Sequence, residues 1–225
     1  MLTNERNSVK RFDLIVFDWD GTLMDSAGAI VASVQAAARD LGLEPPSEQR
    51  ARHIIGLGLN DALRHALPEL DEGRYADLTD RYRFHYLAQD HELTLFDGIG
   101  ELIGDLAAAG YALAIATGKS RLGLNRAIDH SGLGHYFQAS RCADECFSKP
   151  HPQMLEELMA EFGVTPEATL MIGDTTHDLQ MAANAGVPGV AVSYGAHDIE
   201  ALGQVASLYC APTVTELRTW LKANA

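Results

Sequence analysis

Short apolar runs rich in β-forming residues alternate with helical patterns over much of this 225-residue chain. Four of these runs are predicted to be buried strands: residues 12–17, 111–116, 169–172 and 187–192. Buried strands that alternate with helices pair in parallel, because each connecting helix packs on a face of the sheet. The sequence therefore predicts an α/β fold with a parallel sheet and helices on both faces.

Residues 24–94 interrupt this alternation, because they contain helical patterns with no convincing strand between them. Gly42 is a suitable C-terminal cap for the first of these helices, and Ser47 is a suitable N-cap for the next. The helices of this segment are predicted to span residues 27–41, 60–66 and 72–89. We therefore predict an inserted α-helical domain over 24–94, with a core domain formed by residues 1–23 and 95–225.

The overall charge limits the partners that this chain can bind. With 47% apolar residues the chain can bury a large core, but its formal net charge is −14. Nucleic acids and anionic membranes attract basic surfaces, so neither is an expected partner. No apolar run has the length of a membrane span, the three cysteines follow no zinc-binding spacing, and residues 1–6 lack a signal-peptide pattern. We expect a cytoplasmic protein, either a monomer or a homodimer.

Four polar signatures occur at or just after apolar runs. They are Asp18-Trp19-Asp20-Gly21-Thr22, Thr117-Gly118, Lys149-Pro150 and Gly173-Asp174-Thr175-Thr176-His177-Asp178. Open parallel sheets bind ligands beyond the carboxyl ends of their strands, so signatures at those ends are expected to converge in space. Carboxylates, a hydroxyl and a lysine in this order indicate magnesium-assisted phosphoryl transfer with a small phosphorylated metabolite as substrate.

The first signature contains two carboxylates that are suited to different roles. Asp18 and Asp20 lie two residues apart, so in an extended segment both side chains project from one face. An ionised carboxylate attacks phosphorus, whereas a protonated one donates to the leaving oxygen and later deprotonates water. A calcium-type or purely structural acidic pair is the alternative, and the Gly21-Thr22 pair that follows favours the catalytic interpretation.

Together the signatures resemble those of the haloacid dehalogenase-like hydrolase superfamily, and the resemblance extends from residue 12 to about residue 221. The helical insert resembles the C1 type of cap in that family. The resemblance implies a Rossmann-like core, a mobile cap and magnesium-dependent phosphatase activity, with Asp18 as the nucleophile and Asp20 as the acid/base. Dehalogenases similar to this chain lack an acid at the position of Asp20, because halide leaves without a proton. A phosphate ester is therefore the expected substrate.

Magnesium prefers oxygen ligands, and the signatures offer several. Asp18, the main-chain carbonyl of Asp20 and Asp174 form the predicted ligand set. Asp178 lies four residues after Asp174 and is expected to act through a water molecule or by orienting Lys149. Its alternative role is to complement the dipole at the start of a helix. His177 is not expected to bind magnesium, which favours oxygen over nitrogen.

The phosphoryl group is expected to contact the second and third signatures. The Thr117 hydroxyl and the main-chain N–H groups at Gly118 are placed to hold phosphoryl oxygens. Lys149 precedes Pro150, which stiffens the backbone, and is placed to offset negative charge in the transition state. Lys119 is a competing cation that we expect to be a surface residue.

Other candidates have weaker signals. The main-chain N–H of Trp19 is a candidate phosphate contact, while its side chain is expected to pack. Arg52, with His53 and the loop 56–58, is expected to reach over the site from the cap and recognise the leaving group of the substrate. The remaining histidines, His197 among them, are expected to be partly exposed residues without a ligand role.

Within the superfamily, residues 20–26 resemble the opening segment of phosphoglycolate phosphatases. β-Phosphoglucomutases carry a cap histidine where this chain has Ile30, and phosphonatases use a cap lysine, whereas residues 23–118 contain none. We therefore expect a magnesium-dependent phosphatase that acts through an aspartyl-phosphate, with 2-phosphoglycolate as the first candidate substrate. The alternatives are a pyrophosphatase or a nucleotide or sugar-phosphate phosphatase, then a β-phosphoglucomutase-like enzyme, and then a non-catalytic module that binds a phosphorylated metabolite.

Overall fold

A computed structural model describes residues 10–225. The four predicted strands are present as β1 (Leu14–Phe17), β2 (Ala112–Thr117), β4 (Thr169–Gly173) and β5 (Gly189–Val192). The sheet also contains two edge strands that were not predicted, β3 (Ala139–Cys142) and β6 (Tyr209–Ala211). All pairings are parallel, in the order β3-β2-β1-β4-β5-β6. The predicted α/β class is confirmed. The expectation about residues 1–6 lies outside the described residues, as do the first nine residues of the predicted core domain.

Ten α-helices are present within residues 10–225. They are α1 (Ala27–Asp40), α2 (Glu48–His53), α3 (Leu59–Ala66), α4 (Tyr75–Leu87), α5 (Ile99–Ala108), α6 (Arg121–Ser131), α7 (Gln153–Phe162), α8 (Thr176–Asn184), α9 (Ile199–Leu202) and α10 (Val214–Asn224). The predicted helix over 72–89 is shorter than expected, because Glu72–Arg74 forms a separate 3₁₀ turn before α4. None of these helices is long and apolar enough to cross a membrane.

Alternate side chains of the central strands pack on opposite faces of the sheet. Ile15 and Phe17 of β1 belong to a core cluster with residues of α5, α6 and α10, whereas Leu14 and Val16 pack with residues of α7 and α8. All four side chains are fully buried, and each contributes about 1.5–3 kcal/mol through burial. Because both faces are covered, β1 is held firmly at the centre of the sheet and the residue after it, Asp18, is fixed in place.

The helical segment 24–94 leaves the sheet after β1 and returns before α5. Helices α1 and α4 pack against each other, and the segment has its own apolar clusters around Val34, Leu63 and Leu78. The outgoing and returning chains run side by side, since Met24 forms an antiparallel bridge with Leu95. The predicted caps are confirmed: Gly42 has a φ of 68° after α1, and the Ser47 hydroxyl accepts a hydrogen bond from the Arg50 N–H.

Candidate active site

Asp18 is the first residue after β1, and its side chain is fully buried. Its main-chain N–H donates to the Ile172 carbonyl of β4 at 2.9 Å, which extends the sheet pairing to the site. The chain then turns at Gly21, whose φ of 77° and close approach to the Asp174 carboxylate exclude a Cβ atom. The strand end and the glycine turn together bring the first and fourth signatures into contact.

Lys149 links two of the predicted carboxylates. Its Nζ lies 2.8 Å from Asp18 Oδ1 as an ion pair and donates a hydrogen bond to Asp178 Oδ1 at 2.6 Å. Asp178 Oδ2 accepts from both the N–H and the hydroxyl of Thr175, which completes a capping box at the start of α8. Asp178 therefore orients Lys149 and caps α8 at the same time. Burial lowers the pKa of Lys149, but the two carboxylates outweigh burial and raise that pKa.

Asp174 is the first residue after β4 and is also fully buried. Its Oδ1 accepts a hydrogen bond from the Thr22 hydroxyl at 2.9 Å, and its Oδ2 accepts from the Ala196 N–H at 2.7 Å. Burial, with the charges of Asp18 and Asp178, raises the pKa of Asp174 well above its ordinary value. Burial is also the largest cause that raises the pKa of Asp18 to about 7. Both carboxylates are thus unfavourable as isolated anions.

The buried charges fit a divalent cation. Each of Asp18, Asp174 and Asp178 has a carboxylate oxygen within 4.8 Å of the others, so three of the four residues predicted to bind the metal lie together. If all three are ionised, the single ammonium of Lys149 leaves two negative charges uncompensated in this buried cluster. In addition, Asp18 Oδ2 is buried without a hydrogen-bond partner within residues 10–225. The residues present therefore have the donor type and the charge that a hard divalent metal requires.

Asp20 has different partners from Asp18. Its carboxylate accepts from the Ser26 hydroxyl at 2.7 Å and from Lys119 Nζ at 2.9 and 3.0 Å. Lys119 also donates to the Tyr86 hydroxyl of α4 at 2.9 Å. The expectation that Lys119 is a surface residue is therefore wrong: its side chain is only 10% exposed. Burial lowers the pKa of Lys119, but Asp20 and Tyr86 outweigh burial and raise it.

Sequence reasoning missed Lys119 because only its neighbours matched a signature. A usable signal was its position two residues after Thr117 at the carboxyl end of β2, where a long side chain reaches across to β1. Thr117 itself is buried, and its hydroxyl accepts from the Lys119 N–H at 3.2 Å.

The loop 56–58 lies directly over the second signature. A Cβ atom on Gly118 would come within 2.6 Å of the main-chain carbonyl oxygens of Gly56 and Leu57. Gly58 N–H donates to the Ser148 hydroxyl, next to Lys149, at 2.8 Å. The helical segment 24–94 thus contacts the carboxyl edge of the sheet at two of the predicted phosphate-binding signatures.

The remaining predicted residues are distributed around this centre. Trp19 is fully buried as expected, and its Nε1 has no hydrogen-bond partner within the described part of the chain. Arg52 pairs with Glu48 of its own helix at 3.0 Å, and no ion pair or hydrogen bond of residues 10–225 joins it to the carboxylates. Its role in reading the leaving group stays a prediction. His197 is 5% exposed, so the expectation that it is partly exposed is wrong.

The fold is a parallel sheet that carries buried carboxylates and a buried lysine beyond its carboxyl edge. Residues 15–192 match the sequence profile of the haloacid dehalogenase-like hydrolases. The match covers well over half of the 225 residues, so the chain belongs to that family.

Named relatives are similar over most of the chain. A probable phosphatase, IndB, of Dickeya dadantii is 36% identical over 84% of this chain and 84% of its own length. A tyrosine-protein kinase, PtkA, of Mycobacterium tuberculosis is 34% identical over 91% of this chain and 71% of its own. A solved structure described as a predicted phosphoglycolate phosphatase of Haemophilus somnus superposes with a TM-score of 0.83 at 26% identity, over 94% of this chain and 98% of that one. Other relatives are named phosphoglycolate phosphatase and 5′-nucleotidase. The chain is therefore a phosphatase-type member of the family.

Proposed function

We propose that this protein is a magnesium-dependent phosphatase that hydrolyses a small phosphate monoester through an aspartyl-phosphate on Asp18. The observation that carries the proposal is the buried Asp18 carboxylate, which has Lys149 on one oxygen and no hydrogen-bond partner on the other. An unsolvated carboxylate beside a fixed cation is a strong nucleophile toward a phosphoryl group, because it loses little solvation on attack.

Magnesium would be held by Asp18, Asp174 and the main-chain carbonyl of Asp20. Asp178 already accepts three hydrogen bonds, two from Thr175 and one from Lys149, which favours its role in orienting Lys149 over direct ligation. When bound, the metal neutralises charge on the phosphoryl group and on the Asp18 carboxylate.

The chemistry proceeds in two steps on this chain's own residues. First, an Asp18 oxygen forms a bond to phosphorus while the bond to the leaving oxygen breaks, and Asp20 gives its proton to that oxygen. Second, Asp20 takes a proton from water as the water oxygen bonds to phosphorus and the Asp18–phosphorus bond breaks, which releases phosphate. The Ser26 hydroxyl and the Lys119 ammonium both donate to the Asp20 carboxylate and hold it in position.

Lys149, the Thr117 hydroxyl and the N–H groups at Gly118 and Trp19 would hold the phosphoryl oxygens through both steps. The helical segment 24–94 would act as a mobile cap. Its two connections to the sheet pair with each other through Met24 and Leu95, which suits a short hinge. Its loop 56–58 covers Gly118, so substrate entry requires that this loop withdraws.

The first candidate substrate is 2-phosphoglycolate, supported by the names of relatives and by the resemblance of residues 20–26. One observation favours a second candidate, a nucleotide or sugar phosphate. A cavity of about 310 Å³ lies beside the residues that hold Asp20, with Trp19, Tyr86, Lys119 and Arg126 among its lining residues. This volume falls at the lower end of the range of ligand pockets, about 300–1,000 Å³, and exceeds what two-carbon glycolate fills.

Phosphate release from a panel of substrates tests the proposal. The panel contains 2-phosphoglycolate, nucleoside monophosphates, sugar phosphates and pyrophosphate, each with magnesium and with a chelator. We expect magnesium-dependent release, with kcat/KM for one class well above the others. Phosphate release that is unchanged by the chelator contradicts the metal assignment. If no substrate of the panel releases phosphate, the phosphatase proposal is contradicted and a non-catalytic binding module is favoured.

Asp20→Asn separates the acid/base role from the rest of the chemistry. For an alkyl phosphate we expect kcat to fall by about 10²–10⁴-fold, because the leaving alkoxide needs a proton. For p-nitrophenyl phosphate, whose leaving group departs as an anion, the first step should be affected much less. The measurement is single-turnover formation of the phospho-enzyme with both substrates. Equal losses for the two leaving groups would show that Asp20 does not serve as the acid.

A further inference from the structure

Three histidines meet where the helical segment 24–94 contacts the sheet core. His53 is the last residue of α2, His177 lies in the first turn of α8, and His197 follows β5. Their ring centroids are 5.1 to 5.3 Å apart, and the His53 ring stacks on that of His197 with an interplanar angle of 13°. One ring nitrogen of each lies within 4.8 Å of the others. The cluster borders the carboxylate site, because His177 directly precedes Asp178 and the His197 N–H donates to the Asp174 carbonyl at 3.4 Å.

Two of the three rings are held within the protein. The His177 residue is 9% exposed and the His197 residue is 5% exposed. His53 is exposed, so its ring can rotate toward the other two.

The hydrogen bonds of the cluster also make two nitrogens converge. His177 Nε2 and His197 Nε2 lie 2.7 and 3.2 Å from one atom, the main-chain carbonyl oxygen of His53. His197 Nδ1 accepts from the Thr176 N–H at 3.1 Å, so its Nε2 carries the proton. For a metal to bind at Nε2, that proton moves to Nδ1, so the hydrogen bond from the Thr176 N–H is lost and is replaced by one from Nδ1 to the Thr176 hydroxyl oxygen, which lies 3.4 Å away.

We propose that His53, His177 and His197 form a second cation site, specific for a borderline transition-metal ion such as Zn²⁺. Three imidazoles match zinc, which binds histidine nitrogen at about 2.0–2.1 Å, and not magnesium, which prefers oxygen. Modest movements of the His53 ring and carbonyl bring the three nitrogens to that spacing.

Occupation of this site has a consequence for the proposed phosphatase. His53 belongs to the helical segment, whereas His177 and His197 belong to the sheet core, so an ion bound by all three ties the segment in the position that covers Gly118. Zinc should therefore inhibit turnover by slowing withdrawal of the loop 56–58. This second statement rests on the proposed function, but the binding itself does not.

Calorimetric titration with Zn²⁺ tests the site in the full-length protein, with magnesium in large excess to occupy the carboxylates. We expect one equivalent to bind with a Kd in the micromolar range or tighter. His53→Gln and His197→Gln should each weaken binding at least tenfold. His53→Gln keeps the main-chain carbonyl and changes only an exposed ring, so it should fold normally. His65→Gln is the matched control, because His65 is an exposed histidine of the same helical segment and should leave binding unchanged.

Co²⁺ provides an independent readout, since its visible absorption distinguishes nitrogen ligation in a four-coordinate site from oxygen ligation. We expect an intense band in the wild type and its loss in His53→Gln. Absence of zinc binding above the magnesium background overturns the proposal, and so does equal binding by the wild type and His53→Gln. Neither result bears on phosphate release in the substrate panel, so failure of this site and failure of the phosphatase proposal are distinguishable.

Discussion

Asp18→Asn is expected to reduce kcat by about 10⁴-fold or more, because the amide oxygen is a poor nucleophile and no other carboxylate occupies its position at the end of β1. The measurement is phosphate release with the best substrate of the panel, together with trapping of a phospho-enzyme by acid quench. The variant should show neither. Circular dichroism confirms that the protein is folded. Substantial turnover by a folded Asp18→Asn protein would contradict the nucleophile assignment.

The same variant is expected to be more stable than the wild type when metal is absent and the pH is high. Folding raises the pKa of Asp18 from 3.8 to about 7, so between these values the folded state holds a proton that the unfolded state releases. The free energy of unfolding of the wild type therefore falls by up to about 1.4 kcal/mol per pH unit as pH rises from about 4 to about 7. Asparagine lacks this dependence. Urea midpoints at pH 5 and pH 8 with a chelator measure the difference, and identical pH profiles would refute it.

Lys149→Met is expected to have the largest effect on stability. Methionine fills a similar volume but leaves Asp18 and Asp178 buried without their shared cation. Breaking a buried ion pair by removal of one partner costs about 3–5 kcal/mol, so the urea midpoint should fall sharply. Catalysis should fall by about 10²-fold or more, because charge on the phosphoryl group loses its fixed counter-ion.

The matched control is Lys222→Met, the same substitution at an ion-paired lysine. Lys222 pairs with Asp105 at 3.4 Å, but its side chain is 63% exposed. Surface pairs of this kind contribute little, so the control should unfold within about 0.5 kcal/mol of the wild type. If the urea midpoint of Lys149→Met is as close to the wild-type midpoint as that of the control, the Asp18–Lys149–Asp178 contacts contribute no net stability.

The centre of this fold was predictable because its strands are buried on both faces. Four apolar runs identified β1, β2, β4 and β5, and polar residues at the ends of three of them identified Asp18, Thr117 and Asp174. Lys149 follows none of these runs and was identified by its own signature with Pro150. The edge strands β3 and β6 were not predictable in the same way. Ala139–Cys142 contains Ser140 and Arg141, so its composition carries no apolar run, and only pairing with β2 makes it a strand.

Long-range contacts account for what the sequence did not reveal about the site. Lys119 is separated by 99 residues from Asp20, and His53 by 144 from His197. A local pattern cannot report such distances, and lysine and histidine are usually exposed when nothing else is known. Arg52 was expected to face the substrate because it is a cation near a glycine loop, whereas its helix also offered Glu48 one turn away as a partner.

Several contacts between the helical segment and the sheet core involve main-chain atoms of the segment: the His53 carbonyl accepts from two core histidines, the Gly58 N–H donates to Ser148, and the carbonyls of Gly56 and Leu57 cover Gly118. Main-chain groups are the same whatever side chain a residue carries. Side-chain changes in this segment therefore leave these contacts in place, so the segment can vary in sequence and still keep them at the carboxyl edge of the sheet.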